Sequence, residues 1–174
     1  MISKNVRDVP PSGIRRFFDL ASKEKDIVTL GVGEPDFDTP QVVKEKALSS
    51  IERNRTHYTG NAGLPELRER ISEKLKTENK LDLSSEEVLI TSGSSEGLDI
   101  SLRALIDPGD EVLIPDPAYV AYGPLTQIAG GKPAYVPTYE KDEFRLTVEE
   151  LEKAKTKRSK VLLFCSPNNP TGSV

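Results

Sequence analysis

The chain has 174 residues, of which 36% are hydrophobic and 30% charged, and its net charge is −4. This is enough for one domain with a sizeable core and part of a second domain. The slight acidic balance predicts no nucleic-acid or membrane partner, and no apolar run is long enough to span a membrane. One cysteine, Cys165, excludes an internal disulfide and fits a reducing cytoplasm.

The first forty residues read as an arm followed by a short helix, a short strand and a loop. Residues 1–12 are polar and end in a pair of prolines, and Ser12 is a candidate cap for a helix over residues 13–25. A strand is predicted at residues 27–30, before a loop with two glycines and two prolines. Thr39 then reads as the cap of a helix that runs to about residue 54.

A second polar loop, residues 56–63, precedes a strongly patterned helix at residues 64–79. Leu67, Ile71 and Leu75 recur every four residues among charged side chains. This spacing is typical of a helix with one apolar face.

From residue 87 onward the pattern alternates between strands and helices. Strands are predicted at residues 87–91, 111–114, 134–137 and 160–165, and helices at residues 93–106, 119–129 and 147–155. The alternation predicts an α/β fold with a parallel sheet covered by helices. Parallel strands end at one edge, so the loops at residues 91–93, 115–117 and 166–169 are expected to face the same crevice.

The last strand and its loop form the most distinctive stretch of the sequence. The continuous apolar run at residues 161–165 predicts a strand buried on both faces, with Cys165 as a packed small side chain. Pro167 and Pro170 lack backbone donors and restrict the residues before them. Asn169 is therefore expected in a stiff frame, with two amide donors and one acceptor at a fixed point.

The loop at residues 92–97 allows three interpretations. Its serines and the exposed N–H groups of a helix start make an anion site, most naturally for a phosphate. An ordinary serine cap is the simpler reading. The loop also matches the nucleophile elbow of α/β-hydrolases, which would make Ser95 a nucleophile. That alternative needs a histidine after the serine, whereas His57, the only histidine, precedes it.

Five segments in this order resemble the class I/II aminotransferases, which are pyridoxal-phosphate enzymes of fold type I similar to aspartate aminotransferase. They are residues 30–40, 58–68, 91–97, 107–112 and the segment Ser166-Pro167-Asn168-Asn169-Pro170-Thr171-Gly172. The resemblance implies a three-layer α/β/α fold with a mostly parallel sheet, of which this chain forms an incomplete part. It assigns residues 1–40 to the arm and the first part of the small domain, and residues 41–174 to the first half of the large cofactor-binding domain.

The resemblance also implies roles for individual residues. Ser94 and Ser95 would belong to the cup for the cofactor phosphate, and Asn169 would hydrogen-bond the phenolic oxygen of the cofactor. Tyr119 would stack on the cofactor ring. Gly33 would offer its N–H to the substrate α-carboxylate, because a glycine permits a close approach.

A homodimer with a shared active site is implied as well, since Tyr58 matches a tyrosine that reaches the neighbouring subunit's phosphate. No metal is expected, and Glu34, Asp36 and Asp38 read as solvated loop carboxylates.

The implied activity is amino transfer between an L-amino acid and a 2-oxo acid, in a cytoplasmic enzyme. The catalytic lysine of the family falls downstream of residue 174, so this chain alone is expected to be inactive. Two non-transaminating alternatives stay open, a fold type I enzyme of another reaction class and the hydrolase with Ser95. A non-enzymatic alternative is a transcription regulator of this fold, for which a winged helix would be expected before the arm.

Overall fold

The computed structural model describes residues 2–11, 13, 33 and 35–174. The described helices are α1 (Lys4–Arg7), α2 (Gln41–Glu52), α3 (Pro65–Glu78), α4 (Gly93–Leu105), α5 (Tyr122–Ile128) and α6 (Val148–Ala154), and the strands are β1 (Glu111–Asp116), β2 (Lys132–Pro137) and β3 (Ser159–Leu162). The helix predicted at residues 13–25 and the strand predicted at 27–30 lie outside the described residues, apart from Gly13.

The chain divides into two compact units. One, here called the helical unit, comprises residues 13–91, and the other, the strand unit, comprises residues 1–12 and 92–174. The predicted domain boundary at residue 40 concerns the domains of the whole protein and stays a prediction.

The helical unit is organised around α3. Pro65 occupies the first turn of α3, where a missing N–H costs nothing, and Glu66 favours the positive end of the helix dipole. The Arg68 guanidinium donates from Nε to the Val88 carbonyl at 2.8 Å, and the Ser72 hydroxyl donates to the Leu83 carbonyl. These two bonds tie the following chain segment back along α3.

The strand predicted at residues 87–91 is not formed. Ser85–Glu87 is a 3₁₀ turn, closed by a capping box between Ser84 and Glu87. Ile90 N–H donates to the Ala62 carbonyl at 3.0 Å, and no described strand pairs with this segment. A β-strand needs a neighbour that supplies a ladder of hydrogen bonds, and an apolar sequence alone does not provide one.

The strand unit contains a parallel sheet in the order β2-β1-β3. α5 connects β1 to β2, and α6 connects β2 to β3, so the chain follows the predicted strand–helix alternation. The α/β class and the parallel sheet are confirmed. All three carboxyl ends of the strands lie at the same edge.

The core of the strand unit lies between the central strand and the helices α4 and α5. Its buried apolar residues are Leu102, Ile106, Val112, Ile114 and Tyr122. Each such side chain contributes about 1.5–3 kcal/mol when fully removed from water. Beside them Thr126, also buried, donates from its hydroxyl to the Tyr122 carbonyl at 2.8 Å, which satisfies its polar atom.

Several predicted boundaries move by a few residues. β1 continues through Pro115 and Asp116, because the Asp116 carbonyl still accepts from Thr138 N–H at 2.9 Å and needs no donor from Pro115. α2 begins at Gln41 rather than at Pro40, since the Pro40 carbonyl accepts the first helical bonds, and Thr39 is not the capping residue. α5 begins three residues later than predicted.

The prediction for residues 161–165 is wrong in two respects. β3 ends at Leu162, and the last bond of this ladder runs from Leu163 N–H to the Leu113 carbonyl at 2.9 Å. Phe164 is 58% exposed and Cys165 is exposed rather than packed. Burial on both faces requires cover on both faces, and among the described residues only one face of β3 has it.

Candidate functional site

The loop after β1 is fixed at its start by a doubly bonded carbonyl. Asp116 O accepts from both the N–H and the hydroxyl of Thr138, each at 2.9 Å, which joins the end of β1 to the end of β2. Tyr119 follows, half-buried, with its ring edge-on to Tyr122 at 5.6 Å between centroids and 82° between planes. The structure thus holds Tyr119 by an aromatic contact on one side of its ring.

The loop after β3 is held by Asn168. Its side-chain amide donates to the Pro117 carbonyl at 3.1 Å and to the Thr171 hydroxyl oxygen at 2.9 Å. Its backbone N–H donates to Ser173 O at 2.8 Å, and its carbonyl accepts from Gly172 N–H at 2.7 Å. The predicted meeting of the loops after β1 and β3 is confirmed by the bond between Asn168 and Pro117.

Asn169 has the opposite environment from its neighbour. It is exposed, and within the described part of the chain its side-chain amide has no hydrogen-bond partner. Its two donors and its acceptor therefore remain available at the edge of the sheet where the strands end.

The third part of the candidate site is the first turn of α4. Ser92 is the residue before the helix, and its N–H donates to the Glu96 carboxylate, while its hydroxyl makes no capping bond. Ser94 and Ser95 are exposed, and neither has a hydrogen bond outside the helix among the described residues. First-turn N–H groups carry partial positive charge, so these serines present donors that favour an anion.

α4 and the loop after β1 pack against the same core of the strand unit. Leu98, one helical turn beyond Ser94, packs against the same core cluster as Ala118 and Tyr119. The predicted site residues Ser94, Ser95, Tyr119 and Asn169 all belong to the strand unit.

Tyr58 and Gly33 belong to the helical unit. Tyr58 has its side chain completely exposed, in the loop between α2 and α3. Gly33 is exposed, and a Cβ at this position would have no atom of the described residues within 4 Å. The roles implied for both residues stay predictions.

An open cleft of about 300 Å³ lies at the carboxyl ends of β1 and β3. Its lining residues are Pro115, Phe144, Arg145, Leu146, Phe164, Cys165, Ser166, Asn168, Ser173 and Val174. Phe144 adopts a positive φ of 55°, which is unusual for a bulky side chain, and Arg145 pairs with Glu143. Nothing in the pattern of residues 139–146 indicated this geometry.

The phenol of Tyr122 sits at the base of the loop after β3. Burial, and then the neighbouring Cys165, raise the pKa of Tyr122 above its ordinary value. Cys165 donates from its thiol to the Pro167 carbonyl at 3.2 Å. Tyr122 is therefore a neutral packing group near neutral pH.

Sequence reasoning missed the function of Asn168 within the loop. The two adjacent asparagines were the available signal. One amide could bond within the loop and fix its shape, while the other could stay free for a ligand.

The described residues give the hydrolase alternative no support. Ser95 lies inside α4 with a helical backbone, whereas a nucleophile elbow strains its serine, and Ser95 is not among the residues with positive φ. The strand that should precede the elbow is also not formed.

Among the described residues, no group of three or more His, Cys, Asp or Glu side chains is placed to hold a metal ion. Asp36 and Asp38 are exposed, and Glu34 lies outside the described residues. No helix in the described part of the chain has the length and hydropathy of a membrane span.

Comparison with known proteins gives consistent matches over nearly the whole chain. Residues 25–174 match the family model "Aminotransferase class I and II". The aspartate aminotransferase of Pyrococcus abyssi is 51% identical over 95% of this chain and 43% of its own length.

Solved structures agree with these matches. The crystal structure of a Pyrococcus protein superposes with a TM-score of 0.94 at 48% identity, covering 98% of this chain and 44% of that one. An aromatic aminotransferase from Pyrococcus horikoshii gives a TM-score of 0.82 at 47% identity, covering 88% and 42%. The chain spans less than half the length of these proteins.

Proposed function

This chain belongs to the aminotransferase class I and II family, and from this membership we propose that the complete enzyme moves an amino group from an L-amino acid to a 2-oxo acid. The two half-reactions would alternate on one site, as in other group-transfer enzymes of the ping-pong type. Residues 1–174 would supply one wall of that site.

Enzymes of this family use pyridoxal 5′-phosphate, which acts as an electron sink for bond changes at the amino-acid α-carbon. The described residues fit this group. The first turn of α4, with Ser94 and Ser95, suits the phosphate, and the Asn169 amide suits the phenolic oxygen. Tyr119 would cover one face of the ring.

The observation that carries this proposal is the distribution of hydrogen-bond partners. The groups assigned to the cofactor, the hydroxyls of Ser94 and Ser95 and the side-chain amide of Asn169, have no hydrogen-bond partner within the described part of the strand unit. The adjacent Asn168 has all its donors bonded. Exposed donors beside satisfied ones are what a polar ligand requires.

The remaining assignments are part of the same proposal. Gly33 N–H would meet the substrate α-carboxylate, and Tyr58 would reach the phosphate bound to the partner subunit of a cytoplasmic homodimer. The complete exposure of Tyr58 supports this role, since its hydroxyl has no partner in the described part of its own chain. Residues 1–40 would belong to the small domain and residues 41–174 to the large one.

The lysine that bonds covalently to the cofactor would follow residue 174. The matched relatives are more than twice the length of this chain, which leaves room for the second wall of the site. We therefore expect residues 1–174 alone to show no amino transfer.

The test is an assay of the complete enzyme with pyridoxal phosphate. Aspartate, alanine, phenylalanine and kynurenine would each be offered with 2-oxoglutarate, and glutamate formation would be measured. The set separates the aspartate and aromatic specificities carried by the names of the relatives. We expect turnover with at least one donor. A cofactor-loaded enzyme that makes no glutamate from any of them would contradict the proposal, and turnover by residues 1–174 alone would contradict the placement of the lysine.

A further inference from the structure

Asn168 connects two loops that come from distant parts of the chain. Its side-chain amide donates to Pro117 O across 51 residues of sequence and to Thr171 Oγ1 within its own loop. Both amide hydrogens are thereby used, and the side chain is partly buried. The residue is also fixed through its backbone by Ser173 and Gly172.

These contacts require a carboxamide. An aspartate of the same shape has no donor and would place a carboxylate oxygen against the Pro117 carbonyl oxygen. An alanine would leave that carbonyl without its partner at a partly buried position. The hydrogen bonding of Asn168 can therefore be separated experimentally from its volume.

The bond has a geometric consequence for the residues next to it. Asn169 is the next residue after Asn168, and Tyr119 lies two residues beyond Pro117. One hydrogen bond thus ties together the backbone segments that carry the proposed ring-oxygen donor and the proposed ring-face partner. Tyr119 is also in edge-to-face contact with Tyr122.

We propose that Asn168 is a positioning residue, which fixes the spacing between Asn169 and Tyr119 so that both meet the same planar ligand. This inference rests on the proposed function, because it takes from it that Asn169 and Tyr119 contact the cofactor ring. With both amide hydrogens bonded within the protein, Asn168 itself would contact neither the substrate nor the cofactor. Its influence on them would pass entirely through the two loops.

The experiment uses the complete enzyme with the variants N168A, N168D, T171V, N169A and the double variant N168A/N169A. Asn79→Ala is the matched control, because Asn79 is exposed at the end of α3 and its side chain makes no hydrogen bond among the described residues. Three quantities would be measured: the dissociation constant of pyridoxal phosphate, the midpoint of the pH titration of its visible absorption band, and the melting temperature of the cofactor-free protein.

We expect N168A and N168D to weaken cofactor binding by about tenfold each, as the loss of one net hydrogen bond with an unsatisfied partner predicts. Both should move the titration midpoint in the direction in which N169A moves it. T171V, which keeps the bond to Pro117, should have a smaller effect. The double variant N168A/N169A should have nearly the same titration midpoint as N169A alone, because Asn168 affects the midpoint only by positioning Asn169.

A purely structural role gives a different result. If N168D behaves as the wild type, or if N168A and N169A shift the midpoint additively, the inference is wrong. If N168A lowers only the melting temperature, it is wrong as well. If N169A leaves cofactor binding and the absorption titration unchanged, the proposed contact of Asn169 fails, and this inference fails with it. Should N168A not fold, N168D and T171V decide the question.

Discussion

At the scale of single residues, Asn168 and Asn169 show how one side-chain type takes two tasks within a loop. The first satisfies its amide inside the protein, and the second keeps its amide exposed. Glycines in this chain also differ in what they permit. Gly63 has a φ of +99°, and a methyl group there would lie 2.6 Å from Ile90 Cβ, whereas Gly60 has a φ outside the left-handed region and a methyl group there would make only an ordinary contact, 3.8 Å from the Gly63 carbonyl oxygen.

We therefore expect Gly63→Ala to destabilise the protein by about 2 kcal/mol or more, from the cost of a left-handed backbone together with overpacking against Ile90. Urea unfolding of the purified protein measures this. Gly60→Ala is the control in the same loop and should change the free energy of unfolding by less than about 1 kcal/mol, relative to the wild type. Equal effects of the two substitutions would show that loop entropy, not the conformation of residue 63, is decisive.

At the scale of elements, α6 is the helix whose start is best explained by its own sequence. Thr147 Oγ1 accepts from Glu150 N–H at 3.4 Å, and Glu149 and Glu150 favour the positive end of the helix. The bond is long, so the free-energy cost of losing it should lie in the lower part of the range measured for helix caps.

Thr147→Ala is accordingly expected to reduce the free energy of unfolding by about 1 kcal/mol or somewhat less. Thr147→Ser keeps the accepting oxygen and should retain most of the stability that Thr147→Ala loses. The measurement is a pair of urea titrations at pH 7. If serine is no better than alanine, the methyl group of Thr147 and not its oxygen is responsible.

Local signals account for what the sequence could predict at this scale. α3 and α6 were predicted within two residues, because a proline, a threonine cap and a four-residue apolar spacing act over a single turn. The segment at residues 87–91 has the composition of a strand, but strand formation depends on a partner elsewhere in the chain. The prediction that Cys165 is packed was wrong for the same reason, since the exposure of Cys165 depends on what covers β3.

The candidate site was predictable to a similar extent. The resemblance assigned roles to Ser94, Ser95, Tyr119 and Asn169. These roles stay predictions, and the structure places the four residues in one unit. The bond from Asn168 to Pro117 was not predictable, because no local pattern specifies a contact between residues 51 positions apart. The cleft beside Phe144 depends on two consecutive left-handed residues, Glu143 and Phe144, neither of which favours that conformation by type.

At the scale of the whole molecule, Lys160 links β3 to the turn before β1 through ion pairs. Its ammonium group lies 3.0 Å from the Asp110 carboxylate and 3.3 Å from that of Asp107. The Asp107 N–H and then Lys160 lower the pKa of Asp110, and the two carboxylates raise the pKa of Lys160.

These shifts define a pH range for the stabilisation. Asp110, with a lowered pKa, contributes above its unfolded value of about 4 and loses this contribution as the pH falls further. Lys160, with a raised pKa, contributes below about 10.4 and loses this contribution as the pH rises through its folded-state pKa. The difference in melting temperature between wild type and Lys160→Gln should therefore be constant from pH 5 to 9 and shrink at both extremes.

Lys157→Gln removes the same charge nearby and is the control, because Lys157 is exposed and makes no ion pair within the described residues. It should leave the melting temperature nearly unchanged at every pH. High salt should reduce the effect of Lys160→Gln, since the cluster is open to solvent. An effect that keeps its full size at pH 3, below the unfolded-state pKa of about 4, would contradict the assignment to Asp110.

The proposed contact of Tyr58 with the cofactor phosphate is tested by Tyr58→Phe. Because the side chain is fully exposed on its own chain, loss of the hydroxyl should leave the melting temperature of the cofactor-free protein unchanged. Loss of a hydrogen bond to a phosphate should raise the dissociation constant of pyridoxal phosphate by about tenfold. An unchanged dissociation constant would remove Tyr58 from the proposed site.

The strand order β2-β1-β3 has a consequence for how the chain is made. Of the three described strands the central one is synthesised first, and both of its neighbours come later, at residues 132 and 159. At roughly 5–20 residues per second, the ribosome needs about 2–9 s from the end of β1 to the start of β3. During that interval Val112, Leu113 and Ile114, which are buried in the finished sheet, have an unpaired backbone on at least one side. We expect this stretch to be where a chaperone meets the nascent chain, and slow codons between residues 116 and 159 to lower the yield of folded protein.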